Sequence, residues 1–191
     1  MTKTTLARID VRRNNITGDG AAQLSTAVLG NLKIEMFNEI PIKEMRANSL
    51  TELDLKEKSL GVEGGMVVAG LLPFMGALTV TNLLRNELDA ESAKMLSEVA
   101  KQKGISLCGI QRDQTTADFS QQSLKPPDAI LLASDLSQAV VIGALTSLDL
   151  SNNQLCGVTS GSSGTYTTEG ITAIADALCV NGALTEVPCV L

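Results

Sequence analysis

Apolar residues recur along this chain in a fixed phase. From Leu145 to Leu155, LTSLDLSNNQL, they fall at the first, fourth, sixth and eleventh places, with Asn153 at the ninth. The same template fits LARIDVRRNNI from Leu6, LTELDLKEKSL from Leu50, LTVTNLLRNEL from Leu78 and, more loosely, QTTADFSQQSL from Gln114. The alternation inside each copy predicts a short strand with one face turned inward. Fourteen residues after each first position a second pattern begins: Gly20, Leu24, Val28; Gly64, Val68, Leu72; Ser92, Leu96, Ala100; Asp128, Leu132, Leu136. Spacing of i, i+4, i+8 lays one apolar stripe along a short helix. In the last copy the series is Gly170, Ile174, Leu178, eleven residues late. That delay marks an insertion over about 158–168, where TSGSSGTYTTE predicts a flexible surface loop.

Each unit is therefore strand, bend and helix in roughly 28 residues, and neither half buries its apolar face alone. Stacked units would place the strands side by side in a parallel sheet, with helices outside and one continuous core between. Asn14, Asn86 and Asn153 at the ninth place suit a bend whose backbone groups need a short amide partner. Lys58 and Gln122 break that series at their coils. The first positions are unevenly spaced, 44 residues from Leu6 to Leu50 and 36 from Leu78 to Gln114. Each gap holds an extra apolar strand without its own helix, LKIEMFNEI near Leu32, whose register is ambiguous, and ISLCGI from Ile105. The order ordinary, short, variant then repeats after 72 and 67 residues, which predicts duplication of a three-coil block. Residues 1–191 thus read as one repeat domain with coils starting near 6, 32, 50, 78, 105, 114, 145 and 184. Its first and last strands lack covering units, so we expect a piece of a longer array, or ends that pair with a second copy. Pro188 in the last strand suits an edge.

The combination L-x-x-L-x-L-x-x-N-x-L, then Gly and a helix ending in a segment such as ADALCVNGA, resembles the ribonuclease-inhibitor-like class of leucine-rich repeats. The resemblance runs from Leu6 to Leu191. It implies an α/β solenoid, a horseshoe with a concave parallel sheet and convex helices. It also implies a non-catalytic scaffold that binds a protein on the concave face. Within that class, GTPase activators of the Ran type and segments of larger receptors are the alternatives; fold alone does not choose among them.

Composition narrows the chemistry. The 191 residues include no His and no Trp, and only 2% are aromatic against 44% apolar, so the core is aliphatic. Without imidazole there is no Ser-His-Asp or Cys-His machinery and no His-ligated metal, and we expect no enzyme, cofactor or metal. A net charge of −6 argues against nucleic acid. Cys108, Cys156, Cys179 and Cys189 form no C-x-x-C pair, and with no secretory h-region at the start the reading is cytoplasmic. The 21 uncharged residues between Glu63 and Arg85 are broken by Gly64, Gly65, Gly70, Pro73 and Gly76, which predicts two short buried elements rather than a membrane span.

The places between the apolar ones supply the candidate binding surface. The fifth place reads Asp10, Asp54, Asn82, Asp118 and Asp149, a column suited to a basic partner or a cation, or simply a solvated row. At the seventh and eighth places Arg12, Arg13, Lys56, Glu57 and Arg85 give way to Ser120, Gln121, Ser151 and Asn152 toward the C-terminus. Net charge follows, −1 over positions 1–95 and −5 over 96–191. The expectation is that a partner is gripped by Arg8, Arg12, Arg13 and Arg85 rather than by the serine-rich end. Cys108 reads as a buried small hydrophobe, and Tyr166 in the insertion as a contact residue or nothing.

Overall fold

The computed structural model describes residues 6–158 and 163–181. Strands and helices alternate: β1 (Arg8–Ile9), α1 (Gly18–Gly30), β2 (Met36–Phe37), α2 (Ile42–Arg46), β3 (Glu52–Asp54), α3 (Gly61–Leu71) running into a 3-10 turn at Leu72–Phe74, β4 (Val80–Asn82), α4 (Ala90–Lys103), β5 (Thr116–Asp118), α5 (Pro126–Leu136), α6 (Ala139–Ile142), β6 (Ser147–Asp149) and α7 (Glu169–Val180). All three ladders are parallel, β1 with β2, β3 with β4, and β5 with β6. The long helices pack in a row, α1 on α3, α3 on α4, α4 on α5 and α5 on α7. Between row and strands lies one aliphatic core including Leu55, Leu60, Leu72, Leu83, Leu96, Leu107, Leu132 and Leu148. This is an α/β repeat fold.

The helices start and stop for local reasons. Asp89 caps α4 by accepting the Ser92 N–H at 2.8 Å, and Gly104 ends it at φ 67°, a left-handed turn that costs glycine little. Pro126 and Pro127 open α5, where an absent N–H costs nothing, and Asp128 accepts the Lys125 N–H at 2.8 Å. Every residue of α5 after its two prolines is buried, because α4 and α7 flank it. No described helix is long and apolar enough to cross a membrane.

The ninth-place asparagines stitch coil to coil. Asn86, 1% exposed, accepts the Lys58 N–H at 2.9 Å and donates to Leu55 O at 2.8 Å and Leu83 O at 2.9 Å. Asn153 repeats this, accepting from the Gln122 and Leu124 N–H groups and donating to Phe119 O and Leu150 O. The coils whose ninth residues are Lys58 and Gln122 therefore need no amide of their own, since the next coil's asparagine serves their bends.

Several expectations needed correction. Leu6 is 66% and Leu32 81% exposed, so neither is an inward first position. Pairing of Ile9 with Phe37 fixes the second coil's phase and makes Ile34, 3% exposed, its inward residue; Leu32 belongs to the turn after α1. That coil also carries a helix of its own, the short α2, pinned by buried Ile42 and Met45. The segment after Ile105 does not alternate: Ile105, Ser106, Leu107, Cys108 and Ile110 are all buried. Ser106 bridges Val80 in parallel, and Gly109 turns at φ 79° against Asn82. Among the described residues no ladder joins β2 to β3, or 106–108 to β5. The insertion closes as an antiparallel Val158–Gly164 bridge, with residues 159–162 outside the described residues. The strand near 184, with Leu184, Val187, Pro188 and Cys189, also lies outside them.

Candidate functional site

The polar strand residues form one face of the fold, and the structure gives the fifth-place column a mechanical role there. Asp10 accepts the Arg12 N–H at 3.1 Å, Asp54 the Lys56 N–H at 3.0 Å, Asn82 the Leu84 N–H at 3.2 Å, Asp118 the Ser120 N–H and Asp149 the Ser151 N–H, both at 2.8 Å. In all five coils the side chain bonds the backbone two residues on and starts the bend that ends the strand. Aspartate and asparagine recur there because they are short acceptors for that turn. In Asp54, Asp118 and Asp149 the second carboxylate oxygen is outside that turn, whereas in Asp10 it accepts from Arg12 Nη2.

The arginines are mostly engaged within the chain. Arg12 donates from Nε and Nη2 to Asp10 at 2.9 and 2.7 Å, and from Nη1 to Glu39 at 2.6 Å and to Lys58 O at 3.1 Å. Lys58 also pairs Glu39 at 3.3 Å. Arg12's guanidinium holds the Asp10 carboxyl well below the usual carboxylate range, and Arg12 with Lys58 lowers Glu39. Arg85 pairs Glu57 at 2.6 Å, and Arg8 points an Nη2 at the Met36 sulfur at 3.0 Å. Arg13 is exposed at φ 62° and lines a cavity of about 130 Å³ with Glu63 and Glu87. Lys56 reaches Gln122 Oε1 at 2.8 Å. Glu39 belongs to the face without having been singled out in the sequence, and the pairings Arg12–Glu39, Arg85–Glu57 and Lys56–Gln122 were invisible there, because partners 27 to 66 residues apart share no local pattern.

The acidic places are less compensated. Asp118 stands directly opposite Asp149 across the β5–β6 ladder, and neither carboxylate has an ion-pair partner among the described residues. Hydrogen bonds from Ser120 lower Asp118, keeping it ionised at neutral pH. Glu52, Asp54, Asn82, Gly109 and Gln111 line a strand-face hollow of about 190 Å³. Asn152 is exposed at φ 56° beyond the end of β6. The predicted residues thus separate into an N-terminal set in which, among the described residues, Asp10, Arg12 and Arg85 are bound in ion pairs while Arg8 and Arg13 are not, a middle hollow, and a C-terminal pair of facing aspartates. Among the described residues no group of three or more His, Cys, Asp or Glu is arranged to hold a metal ion. Cys108 is buried, which pushes its thiol up, and it is free, as are Cys156 and Cys179.

Comparison with known families follows the same frame. Residues 2–25 match one family of leucine-rich repeats, and residues 144–165 match another. The chain carries leucine-rich repeats. The two matched segments contain β1 with the start of α1, and β6 with its bend, which are the copies whose ninth places hold Asn14 and Asn153. No curated protein matches the chain. Leucine-rich repeats are in general protein-interaction modules.

Proposed function

We propose that this leucine-rich repeat chain is a non-catalytic scaffold that binds a protein on its strand face. The observation that carries the reading is the uneven state of the charges on that face. Arg12 and Arg85 are held by Asp10, Glu39 and Glu57, whereas Asp54, Asp118 and Asp149 present carboxylates with no cationic partner among the described residues. Like charges facing across a ladder cost stability, and a cationic group of a partner would relieve that cost. On this reading the grip lies with the aspartates rather than the arginines: Arg8 and Arg13 remain open to a partner, Arg12 and Arg85 shape the face, and Asp54, Asp118 and Asp149, with Lys56, Asn82 and Asn152 beside them, meet a basic surface. The test is capture of interacting proteins from native extract at low and high salt. Asp118→Lys with Asp149→Lys should abolish a salt-sensitive complex that Arg12→Glu leaves largely intact; the reverse pattern would refute this assignment.

A concave horseshoe of the ribonuclease-inhibitor-like class is the architecture we infer around that face. Support comes from helices packed in one row, strands facing away from them, and a register of 28 residues in both Arg8↔Met36 and Glu52↔Val80. The duplicated three-coil block has support of the same kind. Each short strand pairs in parallel with the ordinary coil before it, at Arg8↔Met36 and Val80↔Ser106, and each variant coil pairs with the ordinary coil after it. The free thiols suit a reducing, cytoplasmic setting.

A further inference from the structure

The second break in the sheet lies between the strand around 106–108 and β5, and a side chain fills it. On one side this short strand is laddered to β4: Ser106 N–H donates to Thr79 O at 3.0 Å, Leu83 N–H to Leu107 O at 2.8 Å and Gly109 N–H to Thr81 O at 2.9 Å. On the other, Leu107 N–H donates to Asp135 Oδ1 at 2.8 Å, and Cys108 N–H and the Ser106 hydroxyl reach Asp135 Oδ2 at 3.0 and 2.7 Å. Asp135, on α5, is 0% exposed. One carboxyl thus takes the place of a missing strand, and every group that bonds it is neutral.

We propose that this joint responds to pH: it is held closed by neutral Asp135 and loosened when that carboxyl ionises, changing the order of the strand face beside it. Ser106 makes both states possible. Its oxygen accepts from a protonated Asp135 and its hydroxyl donates to an ionised one, while the same oxygen takes the Ile110 N–H at 2.9 Å. Among the described residues no cation acts on Asp135 when it ionises. The titratable group facing Asp135 from the short strand is the Cys108 thiol, and Asp128 lies two turns earlier on α5; α6 carries none. Of the charged side chains of α4 and α7, Lys94, Glu98, Lys101, Glu169 and Asp176 line a groove with Ile130, Ala133, Ser134 and Ser137 of α5, and Asp135 is not among the lining residues; Glu91 lies in the first turn of α4, and Lys103 at its end donates to Pro73 O. Burial accordingly pushes Asp135 up to about 7, against the lowering by Leu107, Ser106 and Cys108.

The sign follows from the direction of that shift. The closed joint binds the proton more tightly than the open one, so its stability is greatest in acid and is lost as pH rises toward about 7, levelling off above it. The joint also bears on the face: Gly109 packs against Asn82, and with Gln111 it lines the hollow beside Glu52 and Asp54. The inference stands whether or not the strand face binds a partner.

Amide hydrogen exchange on the full chain, corrected for intrinsic rates and followed from pH 5 to 8, tests it. The opening constant for the Leu107, Cys108 and Ile110 amides should rise about tenfold per pH unit between pH 5 and 6.5 and level off above about 7, more steeply than for Met45 or Val68 amides. Asp135→Asn should flatten the profile. If that variant does not fold, Ser106→Ala, which removes a donor to the carboxylate, should move the levelling point to higher pH, and the side-chain carboxyl resonance of Asp135 should titrate with it. A flat wild-type profile, one that rises toward acid, or one shared equally by the reference amides would overturn the proposal.

Discussion

Replacing Asn86 by alanine is the sharpest test of how the coils are joined. The side chain is 1% exposed and accepts from Lys58 N–H while donating to Leu55 O and Leu83 O, at 2.8 to 2.9 Å. Two of those three partners belong to the coil before it, so the amide acts across the repeat as well as within its own bend. Truncation leaves one part-buried donor and two buried carbonyls short of a partner. At about 1 kcal/mol for each net bond, plus the penalty of leaving buried groups unpaired, the expected cost is about 2–4 kcal/mol. For a chain of this size that lowers the thermal midpoint by about 5–15 °C. Asn14 is the control. It is exposed and bonds only the Val11 and Arg12 carbonyls of its own bend, so Asn14→Ala should cost about 1 kcal/mol or less. Urea unfolding followed by far-ultraviolet dichroism and by hydrogen exchange supplies the measurement, two probes being needed because repeat arrays lose coils separately. Equal costs for the two variants, within about 0.5 kcal/mol, would show that the cross-coil bonds contribute nothing net and would refute the reasoning.

Other outcomes follow from single contacts. Gly170→Ala would drive a Cβ to 2.6 Å from Leu155 O and 2.9 Å from Pro126 Cα, where α7 meets α5, and should destabilise by about 1–3 kcal/mol in denaturant melts. Asp118→Asn with Asp149→Asn keeps the turn-forming oxygen, as Asn82 does, and removes facing like charges; the unfolding midpoint should rise at low salt, with the gain shrinking as salt is added. In native buffer a thiol reagent should modify exposed Cys179 well before Cys108, whose labelling should track opening of the strand. Stability above pH 5 should fall less with rising pH in Glu63→Gln than in the wild type, because burial raises Glu63 and its ionisation on folding is unfavourable.

Local periodicity was sufficient for the elements themselves. An i, i+4, i+8 stripe and a four-residue alternation each reflect the geometry of one segment, so α1, α3, α4, α5 and α7 and the strands β1, β3, β4, β5 and β6 were legible where five copies shared a frame. The role of the asparagines was legible for the same reason, since a bend that recurs needs the same short amide each time. What sequence left ambiguous were the short strands, where no second copy fixes the phase: the ladder to β1 decided that Ile34, and not Leu32, turns inward.

The face itself was readable only as a set of positions. That Asp10, Asp54, Asn82, Asp118 and Asp149 share one side follows from an eleven-residue frame. That each bonds the N–H two residues on, that Arg12 is spent on Glu39, and that Asp135 stands in for a strand beside Leu107 does not. Those outcomes depend on backbone direction and on partners 27 or more residues away, brought into reach when coils stack. Sequence alone determined the repeat and the aliphatic core that closes it, because those rest on spacing and burial; tertiary structure decided which charges are spent and which remain, because Coulomb and hydrogen-bond energies depend on distances of a few ångströms that no spacing in the chain encodes.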